Sequence, residues 1–236
     1  HRGHDFACMR HVSHGMETFM NPPEYTPERR PIASREKALS KRLAAMLAAA
    51  GVSPNAISTA GMIAGLAGGA AFALTPDWPV PCFIAAAVLV QLRLLANMLD
   101  GMVAVSTGKA SPVGELFNEV PDRISDSAFL IGAGYALGSH PLAGFLATIA
   151  ALFTAYIRAE GKVAGAPQDF SGPMAKPQRM FTLTVASLYA AAAPASWQIP
   201  WGGGTMAFAL WLIAGGSFLT FLRRLVRISQ HLKSNP

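Results

Sequence analysis

The sequence predicts an all-α integral membrane protein: a bundle of six transmembrane helices preceded by an amphipathic juxtamembrane helix. Three observations predict it. Of 236 residues, 52% are hydrophobic and only 14% charged, with a mean hydropathy of +0.34, values foreign to soluble domains. Apolar runs recur at about the 20 residues that a helix needs to cross hydrocarbon. Alternate connections between those runs carry no Lys or Arg at all, the pattern of a multipass chain.

Residues 1–33 lack an apolar run suited to a signal peptide and are expected to form a disordered tail. Cys8, His11 and His14 lie three apart there without structured context, which does not argue for a metal site. Within 34–51, Leu39, Leu43, Met46, Leu47 and Ala50 recur at helical spacing, Arg35, Lys37, Lys41 and Arg42 lie elsewhere, and Gly51 closes the run. Such a basic amphipathic helix lies on a membrane surface or packs on its own domain. The domain at 52–228 then contains predicted spans at 56–74, 81–105, 112–137, 142–163, 177–193 and 205–226, with a tail at 229–236. Gly61, Gly65, Gly68 and Gly69 in the first span permit close helix approach.

With six spans the termini share a side. That side carries Arg29, Arg30, Arg35, Lys37, Lys41, Arg42, Lys109, Lys162, Lys176, Arg179, Arg223, Arg224, Arg227 and Lys233. The connections 75–80, 139–141 and 194–204 contain no Lys or Arg. Both termini are therefore expected in the cytoplasm. The net charge of +6 flanks apolar segments and is not interleaved with aromatics, which fits anionic headgroups or an anionic substrate better than nucleic acid. Cys8 and Cys82 offer neither a disulfide framework nor metal-ligand spacing.

The chemistry concentrates between 97 and 126, where membrane-like sequence on both sides encloses polar residues. A carboxylate at membrane depth costs roughly 2.5–3.5 kcal/mol on insertion scales, so it persists when paired, hydrated or holding a cation. Asn97 and Asp100 lie three apart on the second span, and Asn118 and Asp122 four apart on the third. Each pair faces one way, and the four oxygen-bearing side chains can converge. Gly101, Gly108 and Gly114 let backbone approach a bulky ligand. Oxygen ligands without His or Cys favour Mg2+, Mn2+ or Ca2+, and Mg2+ serves phosphate chemistry.

These residues carry a resemblance. Asp100-Gly101-x2-Ala104 followed by Gly114-x3-Asn118-x3-Asp122 resembles the CDP-alcohol phosphotransferase signature, D-x2-D-G-x2-A-R-x8-G-x3-D-x3-D, with every spacing matched. Ser53-Pro54-Asn55-Ala56-Ile57-Ser58, Asp122-Arg123-Ile124-Ser125-Asp126 and Tyr156-Ile157-Arg158-Ala159 also resemble family sequence, over about residues 29–228. Asn97 and Asn118 stand where the family has its first and third aspartates, and Val105 where it has arginine. Glu119, in an acidic stripe with Glu115, Asp122 and Asp126, is a candidate source of the charge missing at Asn118, and Lys109 a candidate substitute at Val105.

The resemblance implies transfer of a phosphatidyl-type group from a CDP-linked donor, by default CDP-diacylglycerol, to an alcohol hydroxyl with release of CMP. Asp100, Asn97, Asn118, Asp122 and Glu119 would surround Mg2+ or Mn2+. Gly101, Ala104, Gly114 and Lys109 would line the nucleotide site, and Asp122 would be the general base. On position alone, Asp122 followed by Arg123 reads equally as an ion pair at a helix end. Arg158, with Lys176 and Arg179 at the start of the fifth span, suggests a phosphorylated or carboxylated acceptor. Arg93, four residues before Asn97, either joins that site or touches lipid phosphate, and Arg223, Arg224 and Arg227 read as topology-setting charge. A homodimer in a bacterial inner membrane is a further implication. The alternatives are a degenerate homologue that binds nucleotide or lipid without turnover, and an ion or proton-coupled transporter, which the few polar residues of the fifth and sixth spans disfavour.

Overall fold

A computed structural model of the chain describes residues 38–197 and 203–234. The expected tail at 1–33 and the start of the expected juxtamembrane segment, 34–37, with the basic residues Arg29, Arg30, Arg35 and Lys37, lie outside the described residues. Among the described residues the chain is all-helical. It forms α1 (Ala38–Ala49), α2 (Pro54–Ala73), α3 (Pro79–Ser106), α4 (Pro112–Gly134), α5 (Pro141–Val163), α6 (Lys176–Ala192) and α7 (Thr205–Ser234), with one 3-10 turn at Ala195–Trp197.

The helix starts follow local chemistry. Ser53, Ser111 and His140 cap α2, α4 and α5, their side chains accepting from backbone N–H groups of Ala56, Gly114 and Leu142. Proline stands at the first or second position of α2 to α6, where its missing N–H costs nothing.

Two boundaries correct the expectation. The third predicted span, α4, stops at Gly134 and not 137, because the chain turns there and the Leu137 N–H donates to Thr75 Oγ1 at 2.8 Å. The last helix continues through the expected tail to Ser234, because Arg224 and Ile228 still face inward. Ile228 packs over Gly161, where any Cβ would meet its side chain.

Six helices close into a ring in the order α2, α4, α5, α7, α6, α3 and back to α2, while α1 lies on α3. The ring is tight where glycine permits. A Cβ on Gly65 would lie 2.5 Å from Ser125 Cβ, and one on Gly69 would overlap the Ala128 carbonyl. In hydrocarbon, helices associate by such close packing, since lipid is as apolar as leucine. One half of the interior is sealed by Phe72, Phe83, Phe129, Leu130, Leu183, Met206 and Leu210, all fully or almost fully buried.

By length and composition α2, α3, α5 and α7 suffice to cross a membrane. The helix α6 has 17 residues, and α4 carries Glu115, Glu119, Asp122, Arg123 and Asp126. Of the apolar positions on α1, Leu43 and Leu47 pack on a small cluster around Met98, Leu99 and Val103. Leu39 and Met46 face outward, each 68% exposed.

Candidate active site

At the end of the bundle away from the sealed core, α2 to α7 surround a cavity of about 460 Å³. Every site residue inferred from sequence lines it except Arg93: Asn97, Asp100, Gly101, Ala104, Lys109, Gly114, Asn118, Glu119, Asp122, Arg158, Lys176 and Arg179. The spacing of three on α3 and four on α4 aims both pairs of polar side chains into one space, as helical periodicity requires. Its wall carries six basic side chains against four acidic ones, a balance that attracts anions.

The acidic stripe of α4 is an ion-pair ladder. Glu115 meets Lys162 at 3.7 Å, and Glu119 meets Arg158 at 2.8 Å and Arg123 at 3.3 Å. Asp122 Oδ1 receives both Arg93 Nη2 at 2.6 Å and Lys176 Nζ at 2.5 Å, while Oδ2 accepts from Asn97 Nδ2 at 3.3 Å. Asp126 meets Lys176 at 3.1 Å and Arg179 at 3.3 Å. A bare carboxylate at this depth would be expelled, and cations from α3, α5 and α6 are what hold these four in place.

Arg93 is 1% exposed and stands behind Asp122, in space left by Gly61, where a Cβ would lie 2.6 Å from Arg93 Nη1. Arg179 is likewise 1% exposed and donates to Met174 O and Thr154 Oγ1. Arg158 faces the cavity, with its guanidinium 5.1 Å from the centre of the Phe170 ring. The Asp122–Arg123 contact is long, 3.5 Å, so the pair at that helix position is the weakest that Asp122 makes.

Sequence reasoning missed three participants. Ser58 Oγ donates to Asp100 Oδ2 at 2.6 Å, and only the α2–α3 contact reveals it. Thr154 lies beneath Arg179. Arg224, read as topology-setting charge, enters the cavity wall, donating from Nε to Ser171 O at 3.0 Å and from Nη1 to Thr154 O at 2.7 Å. A signal for it existed: Ser217, Thr220 and Arg224 share one helical face and all are buried.

Among the described residues no three His, Cys, Asp or Glu side chains converge as a metal cluster. Two oxygens are nevertheless poised for a hard cation. Asp100 Oδ1 and Asn118 Oδ1 are buried without a hydrogen-bond partner among the described residues, a costly state unless a ligand completes it. The donor set therefore fits one oxygen-seeking divalent ion, held by few protein ligands.

A family model for CDP-alcohol phosphatidyltransferase matches residues 51–222. The chain belongs to the CDP-alcohol phosphatidyltransferase family. The match takes in α2 to α6, more than half of α7 and every cavity-lining residue except Arg224, including the departures at Asn97 and Asn118, and it also covers Val105.

Relatives within the family agree. An archaetidylinositol phosphate synthase of Aeropyrum pernix is 34% identical over 114 residues, 48% of this chain and 58% of that protein, so the chain spans less than two thirds of it. A phosphatidylinositol phosphate synthase of Mycolicibacterium smegmatis is 29% identical over 194 residues, 79% of this chain and 82% of that one. The crystal structure of the Mycobacterium tuberculosis phosphatidylinositol phosphate synthase with CDP-DAG bound superposes with a TM-score of 0.65 at 25% identity, covering 81% of this chain and 94% of that one. The structure of the same synthase with manganese and citrate shares the fold, with a TM-score of 0.66 at 23% identity over 80% and 88% of the two chains.

Proposed function

We propose that the protein transfers a phosphatidyl-type group from a CDP-linked lipid, CDP-diacylglycerol by preference, to the hydroxyl of an anionic alcohol, releasing CMP. The observation that carries this reading is the pairing, in one cavity, of the unpartnered oxygens of Asp100 and Asn118 with an Asp122 carboxylate ringed by cations. The relatives' names point to a phosphorylated inositol as the acceptor.

In this reading Gly101, Ala104 and Gly114 leave room for the cytidine nucleotide, and Lys109 contributes charge beside it. Asp100, fixed by Ser58, Asn118 and Asn97 would hold Mg2+ or Mn2+, with Asp122 and Glu119 next to them. When bound, that ion neutralises charge on the donor's diphosphate. Arg158, Lys176 and Arg179 receive the acceptor's anionic group, and Arg93 supports Asp122 from behind. Asp122 takes the proton of the acceptor hydroxyl, whose oxygen forms the new P–O bond as the bond to CMP breaks and CMP leaves with the electron pair. Arg93 and Lys176 hold the carboxylate in position through their ion pairs at 2.6 and 2.5 Å.

We place the six ring helices across a bacterial inner membrane with the termini and the cavity mouth on the cytoplasmic side. The segregation of Lys and Arg supports this. The residues 34–51 would form the interfacial element ahead of a catalytic domain at 52–228, with the outward Leu39 and Met46 of α1 reaching the headgroup region. The family also suggests a homodimer.

The test is CMP release from CDP-diacylglycerol by protein in detergent with Mg2+ and inositol phosphate, glycerol phosphate or neutral inositol as acceptor. Acceptor-dependent release supports the transferase. A second reading, a nucleotide-binding homologue without turnover, is favoured by Asn97, Asn118 and the double pairing of Asp122. Cytidine-nucleotide binding with no release for any acceptor would establish it.

A further inference from the structure

We infer that a divalent cation enters this site together with the nucleotide's diphosphate and does not reside there beforehand. The inference rests on the transferase reading above and adds the order in which charge is assembled. A resident dication needs several anionic oxygens free at once. Asp122 offers none: Oδ1 is taken by Arg93 at 2.6 Å and Lys176 at 2.5 Å, and Oδ2 by Asn97 at 3.3 Å. Asp126 is taken by Lys176 and Arg179. Two buried carboxylates, Asp122 and Asp126, thus already face three cations, Arg93, Lys176 and Arg179, before any metal arrives.

Apart from Asp126 Oδ1, which faces Lys176 at 3.1 Å, the buried carboxylate and amide oxygens without a hydrogen-bond partner among the described residues are Asp100 Oδ1 and the uncharged Asn118 Oδ1. These fit a hard cation by atom type but supply a single formal charge, and the ammonium of Lys176 repels any dication brought beside Asp122. A diphosphate reverses the balance. It brings its own negative charge and supplies further oxygen ligands, and that charge offsets the repulsion exerted by Lys176. Binding of metal and of nucleotide must then strengthen each other by one common factor.

The experiment uses the full chain in detergent and reads free Mn2+ by its electron paramagnetic resonance signal, with and without saturating CDP. Mn2+ affinity should rise at least tenfold with CDP, and CDP affinity, measured by calorimetry, should rise by the same factor with Mn2+. Asp100→Asn should abolish the gain, separating it from Mn2+–CDP association in bulk. Asn118→Asp, which adds a charge beside Asp100, and Lys176→Gln, which removes the opposing one, should each strengthen Mn2+ binding in the absence of CDP. Tight Mn2+ binding to the nucleotide-free protein, unchanged by CDP, overturns the inference and leaves the transferase reading standing. If CDP binds neither with Mn2+ nor without it, the transferase reading falls and this one with it.

Discussion

Ser58 and Asp100, 42 residues apart on neighbouring helices, share a buried hydrogen bond of 2.6 Å that fixes one carboxylate oxygen and leaves the other aimed at the cavity. Substituting Ser58 by alanine frees that carboxylate to rotate. A hydrogen bond to a charged group contributes about 1.5–3 kcal/mol, so Ser58→Ala should lower CMP release roughly 10- to 100-fold, whereas Ser58→Thr, which keeps the hydroxyl, should retain most of it. Steady-state rates at saturating donor measure this. Equal rates for Ser58→Ala and the parent would remove Ser58 from the site.

Arg93 is the interior partner of Asp122. Removing one member of a buried pair leaves an uncompensated charge, at a cost of about 3–5 kcal/mol, although Lys176 remains beside Asp122 to absorb part of it. Arg93→Met should therefore lower the thermal midpoint in detergent by several degrees as well as activity. Retained stability with lost activity would instead make Arg93 a ligand-facing group.

Arg158 contrasts with Arg93. Its pair with Glu119 is partly exposed, so its loss should barely move the melting temperature. Arg158→Gln should raise KM for an anionic acceptor about tenfold or more, the loss of a charge-assisted contact, with little change for the lipid donor. A matching rise in donor KM would reassign it to the nucleotide.

The α2–α4 contact leaves no room at Gly65. Gly65→Val should destabilise by at least the roughly 1–3 kcal/mol of ordinary overpacking, and should also reduce activity, because Ser125 and Asp122 ride on the same helix. Gly215→Ala, at a position with nothing within 4 Å, is the matched control and should be neutral. Comparison of their melting curves in detergent decides it.

Periodicity and composition alone determined the helices and the shared face of each polar pair. Asn97 with Asp100 and Asn118 with Asp122 had to point together, because a helix repeats every 3.6 residues and apolar runs need about 20 residues to cross a bilayer. The glycines of α2 were legible for the same reason, since their spacing stacks them on one face. Tertiary structure alone decided which cation meets which carboxylate. Nothing local to Arg93 or Lys176 distinguishes a charge that sets topology from one that enters a cavity, and for Arg224 the polar face it shares with Ser217 and Thr220 is the one local hint. The difference arises when the ring closes, and long side chains from α3, α6 and α7 then find their partners on other helices, across distances in sequence that no local pattern encodes.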